Sequence, residues 1–83
     1  MSEHKHLLTA ALVEILQTAV EVESTNSKIL SKILSRSEAT IHTEWQRINE
    51  RLGSSSRPMS LIRALKLGIV TLPPAPSEEE EKE

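Results

Sequence analysis

The sequence contains no cysteine, no phenylalanine, no tyrosine and a single tryptophan. Without cysteine there is no disulfide framework, no thiolate zinc site and no thiol nucleophile, a pattern that fits a reducing compartment. With one aromatic among 83 residues, the core has to be aliphatic. Nor is there a row of rings on which single-stranded nucleic acid could stack. Aspartate is absent, and two glycines are too few for a phosphate-cradling loop. His42 and Glu44, two residues apart on a helix, point to different faces and assemble no acid–base pair. His4 and His6 bring no third ligand with them, so no metal site is expected. These absences argue against an enzyme and against a bound cofactor. No apolar run approaches the ~20 residues that a membrane span requires. The opening MSEHKHLL mixes charge and histidine where a signal peptide would be apolar. A cytoplasmic chain is the expectation.

What is present fits one small domain, and a chain this short buries only about 60% of its unfolded surface. The formal net charge of −2 conceals a strong segregation. Residues 26–66 carry eight Lys and Arg against three Glu, whereas residues 67–83 carry one Lys against five Glu. Local charge, not the total, governs contacts to phosphate.

The strongest periodic signal is SEATIHTEWQRINERLG, from Ser37 to Gly53. Ile41, Trp45, Ile48 and Leu52 recur at helical spacing as one apolar stripe. Ser37 is a good N-cap, Glu38 follows at the positive end of the dipole, and Gly53 suits a left-handed C-terminus. Ser35 with Glu38 also matches a capping box, which leaves a start two residues earlier open. The opposite face carries His42, Thr43, Gln46, Arg47 and Glu50. Before it, Leu8, Leu12, Ile15, Leu16, Ala19 and Val20 predict an amphipathic helix from about Thr9 to Val22, its last turn loosened by acids. A polar cluster at Ser24–Ser27 leads to a shorter helix ending near Leu34, with Ile29, Leu30, Ile33 and Leu34 expected inside and Lys28 and Lys32 outside. After it, Arg57-Pro58 marks the start of a fourth helix, expected to bury Leu61, Ala64, Leu65 and Gly68 and to expose Met59 and Ile62. Residues 1–7 read as a flexible arm, 8–70 as the domain, and 71–83 as a disordered Pro/Glu-rich tail.

Two helices joined by a short turn, the second with a polar outer face, make a helix-turn-helix unit. The run from Ser37 to Val70 resembles the C-terminal DNA-binding domain of LuxR-type (GerE-type) bacterial transcription regulators. Ser37, Thr40-Ile41, Ile48, Leu52-Gly53, Ser56-Arg57, Ala64 and Gly68-Ile69 fall in register with that family's pattern. Leu8-Thr9, Glu14, Ile15-Leu16 and Thr25-Asn26 extend the likeness upstream, so that it covers roughly residues 8–70. His42 stands where the family usually has Lys, Glu44 where it often has His, and Trp45 where it has a smaller aliphatic.

The resemblance implies an all-α, four-helix LuxR-type helix-turn-helix domain with a disordered acidic C-terminal tail. It implies a small transcriptional regulator that binds double-stranded DNA in the major groove as a homodimer in the bacterial cytoplasm, nucleoid-associated when DNA-bound. By position, His42, Thr43 and Gln46 are then the base-reading residues. Lys28, Lys32, Ser37, Thr40, Arg47 and Arg57 are the backbone contacts, and Met59, Ile62, Arg63 and Lys66 the dimer interface. A second reading keeps the fold and drops DNA: an adaptor or anti-activator that pairs with another transcription regulator through the fourth helix. His42, Glu44, the acidic total and the absence of the family's sensory module from these 83 residues favour it.

Overall fold

Four polar side chains decide where the helices begin. The structure, a computed structural model, describes residues 8–73. Among these residues are four helices and no strand: α1 (Ala10–Val22), α2 (Ser27–Leu34), α3 (Glu38–Leu52) and α4 (Arg57–Lys66). Thr9, Asn26, Ser37 and Ser56 are the N-caps, and each accepts a hydrogen bond from a backbone N–H of the first turn. Those donors have no partner within a helix, so each cap is worth about 1 kcal/mol. Ser37, not Ser35, opens α3: its Oγ accepts from Thr40 N at 3.1 Å. Ser35 instead ends α2 in a left-handed conformation. The arm expected at 1–7, with His4 and His6, and the tail beyond residue 73 lie outside the described residues.

All four helices close in the same way. Glu23, Ser35, Gly53 and Gly68 adopt positive φ, and the next N–H reaches back five residues to a carbonyl. These bonds run from Ser24 to Ala19, Arg36 to Ser31, Ser54 to Asn49 and Ile69 to Ala64, at 2.9–3.0 Å. This is the Schellman closure, which satisfies carbonyls that the helix leaves unpaired. Gly53 and Gly68 adopt it without steric cost, whereas Glu23 and Ser35 carry a Cβ against the carbonyl. The end of α1, expected to be loose because of its acids, is therefore hydrogen-bonded shut.

α3 touches each of the other three helices. Its stripe of Ile41, Trp45, Ile48 and Leu52 is buried, as are Leu12, Ile15, Leu16, Ala19 and Val20 of α1. Leu8, Leu30, Ala64 and Val70 complete the core. α2 departs from expectation. Leu30 is buried and Leu34 partly so, but Ile29 and Ile33 are 44% and 50% exposed. Leu30/Leu34 and Ile29/Ile33 form two adjacent i, i+4 stripes about 100° apart around the helix, and an eight-residue helix laid on α3 seats only one of them. In α4, Leu61 and Leu65 are partly buried and Ser60 is fully buried, while Gly68, just past the helix, is exposed. Ser60 Oγ is hydrogen-bonded to Asn49 Oδ1 and to Ser54 Oγ, which ties α4 to the end of α3. Past α4, the Gln17 side chain holds Thr71 by both its carbonyl, at 3.0 Å, and its N–H, at 3.3 Å.

Two stability predictions follow from this packing. Replacing Glu23 by Gly removes a strained left-handed residue and an acid at a helix C-terminus, and should stabilise the fold by about 1 kcal/mol in urea denaturation; a lower midpoint would contradict it. Ile48→Ala should cost about 2–5 kcal/mol, whereas Ile33→Ala should cost under about 1 kcal/mol. Equal losses at the two sites would place Ile33 in the core and contradict its exposure on α2.

Candidate nucleic-acid interface

With the stripe buried, α3 must turn its remaining residues outward. Ala39, His42, Thr43, Gln46, Arg47 and Glu50 are all exposed, and they supply an imidazole, a hydroxyl, an amide and a guanidinium on one surface. Thr40 and Ser37 are exposed at the same end, but their hydroxyls also serve the cap: Ser37 Oγ donates to Thr40 Oγ1 at 2.9 Å. Ala39, Thr40, Thr43, Glu44 and Arg47 line a shallow cleft along one edge of α3. Lys28 and Lys32 are exposed on α2. Among the described residues, Lys28, Lys32 and Arg47 form no ion pair, so their charge remains available to an anion. Glu38 and Glu50 are the exposed acids of α3.

Glu44 does not behave as an acid turned toward a partner. Its side chain is only 17% exposed, and Arg36 Nη1 stands 3.4 Å from its carboxylate. Arg36 also pairs with Glu14 through Nη2 and donates to the Ala11 carbonyl at 3.4 Å. One guanidinium thus joins α1, the α2–α3 turn and α3, and it offsets the charge of Glu44. Nothing in the spacing of Arg36, Glu14 and Glu44 along the chain signals this contact, because it forms only when the helices pack.

Arg57, expected among the backbone contacts, is half-buried and used within the fold. Its Nη1 donates to the Thr25 carbonyl at 2.7 Å and to Ser27 Oγ at 3.0 Å. Its Nη2 lies 3.1 Å from His42 Nδ1, and its Cζ stands 5.5 Å from the centre of the Trp45 ring. Burial pushes its pKa below the ordinary value, yet a guanidinium stays charged at any physiological pH. Arg57 therefore clamps the α2 N-terminus, α3 and α4 together over the face of the only aromatic side chain. His42 continues the chain of contacts to the Gln46 amide, 3.4 Å away. The four α4 residues expected at an interface, Met59, Ile62, Arg63 and Lys66, are all exposed.

Compared with protein families, curated proteins and solved structures, this chain gives no match. The chemistry of the surface itself therefore carries the functional argument. Among the described residues, no three His, Asp or Glu side chains converge as metal ligands, and no helix is long and apolar enough to cross a membrane.

The clamp gives a direct prediction. Arg57→Met should cost about 1.5–3 kcal/mol in urea denaturation, the usual worth of hydrogen bonds to a charged group. Arg57→Lys should recover little of it, because an ammonium cannot reproduce the planar fork. A wild-type midpoint for both variants would mean that the clamp contributes nothing.

Proposed function

We propose that this chain binds double-stranded DNA, laying α3 in the major groove as a LuxR-type helix-turn-helix domain does. The observation that carries the reading is the outer face of α3. His42, Thr43, Gln46 and Arg47 project from a helix packed against all three of its neighbours, and Lys28 and Lys32 lie beside it with no acid of the described residues paired to them. A helix of this diameter fits the major groove, where amide, hydroxyl and imidazole groups can read base edges. In this account Thr43 and Gln46 face the bases, and His42, expected among the base contacts, stands between Arg57 and Gln46. Lys28, Lys32, Arg47 and the hydroxyls of Ser37 and Thr40 hold the phosphates, and Arg57 works from behind as the clamp that keeps α2 and α3 in register. The site of action is the bacterial cytoplasm, at the nucleoid when DNA is bound.

One observation favours a protein partner in addition. Met59 and Ile62, 42% and 47% exposed, lie one turn apart on α4 with Arg63 and Lys66 beside them. In the DNA reading this is the seam of a homodimer that spans two half-sites. In the alternative reading it is the whole function: a module that pairs with another transcription regulator and leaves DNA to its partner.

Fluorescence anisotropy on a pool of random duplexes separates the two. The DNA reading expects affinity to fall linearly with salt on logarithmic axes, and Arg47→Ala to reduce the slope by about one phosphate contact. Gln46→Ala should weaken binding to the selected site. No retention of duplex at low salt would overturn it. Loss of function on Met59→Glu and Ile62→Glu, with Gln46→Ala and Arg47→Ala tolerated, would establish the alternative.

A further inference from the structure

We propose that Arg57, acting through His42, fixes the polarity of the Gln46 amide, so that α3 presents two donors and reads guanine in preference to adenine. This rests on the DNA reading above and names the base that the site takes.

A guanidinium donates and never accepts. Because Arg57 Nη2 lies 3.1 Å from His42 Nδ1, that nitrogen must offer its lone pair. The neutral imidazole then carries its proton on Nε2. His42 Nε2 lies 3.4 Å from Gln46 Nε2; two donors facing each other cannot bond, so we assign the amide a half-turn about its last bond, which sets Oε1 in that place. The amide therefore turns Oε1 toward His42 and its NH₂ group away.

Arg57 is able to impose this order because it has little freedom of its own. Nη1 is held by the Thr25 carbonyl and by Ser27 Oγ, and the guanidinium plane is placed over Trp45. Since the fork is rigid, fixing Nη1 also fixes the direction in which Nη2 donates. His42 and Arg57 are thus positioning residues, and Gln46 is the reader.

The consequence for specificity is concrete. An unconstrained glutamine commonly bonds adenine, accepting from N6 and donating to N7. A glutamine whose oxygen is engaged offers its two N–H bonds, which match the N7 and O6 acceptors of guanine. Neither the sequence pattern nor the exposure of Gln46 distinguishes these cases; the contact with His42 does.

The test combines ring spectroscopy on the free protein with selection from a random duplex pool. Two-bond ¹H–¹⁵N correlations of the full chain should report His42 as the Nε2–H tautomer. An Nδ1–H tautomer would overturn the proposal without touching the DNA reading. In the selection, the base read by Gln46 is the position whose preference Gln46→Ala erases. Guanine should dominate there in the wild type. His42→Ala, an exposed substitution that releases Oε1, should lower the guanine-over-adenine ratio by about tenfold or more. Adenine in the wild type, or an unchanged ratio in His42→Ala, would overturn the proposal and leave DNA binding standing. Failure to retain any duplex would remove the DNA reading and this proposal together.

Discussion

The burial of one apolar stripe on α3 is the constraint on which the rest of the molecule depends. Ile41, Trp45, Ile48 and Leu52 take up the inner side of the helix, and the other three helices are arranged to cover it. Because the core has one aromatic side chain, it depends on many small aliphatic contacts, each weak alone and cumulative only at close packing. A chain of this size has little stability to spare. That explains the density of local devices around the stripe: four capped starts, four Schellman ends and a polar knot at Asn49, Ser54 and Ser60. Each fixes a helix end, and together they determine where the outer face of α3 lies.

Two arginines link this frame to the surface. Arg36 joins α1 to α3 and offsets Glu44, while Arg57 joins α2 and α4 to α3 and orders His42. Both place a permanent charge at a helix junction, where a planar group with several donors can bond to elements that meet at different angles. Of the other cations, Lys28, Lys32 and Arg47 are exposed beside the outer face of α3. This division of labour accounts for a basic central segment in a chain of net charge −2. Part of that basic charge is taken up inside the fold.

The helices and their starts were legible in the sequence because caps and periodicity act over three or four residues. Thr9, Ser37 and the Ile41–Leu52 stripe could be read directly, as could the left-handed end at Gly53. What escaped the reading depends on longer-range choices. Glu23 and Ser35 take positive φ although neither is glycine, because the following N–H gains a carbonyl partner. Ile29 and Ile33 are apolar enough for the core, but α2 rests on the neighbouring stripe. Ser60 is buried although it is polar, since Asn49 and Ser54 supply its hydrogen bonds. Arg57 was expected at a phosphate, and its bonds within the fold to Thr25, Ser27 and His42, 15 to 32 residues away in sequence, have no local signal.

The most direct measurement of the central claim is a backbone and side-chain NMR titration of the labelled chain with a short duplex at low salt. The account predicts that shift changes concentrate on His42, Thr43, Gln46 and Arg47 and on the α2 lysines, and that the buried stripe stays unperturbed. Changes centred on Met59 and Ile62, or no change at any residue, would contradict a DNA-reading face on α3.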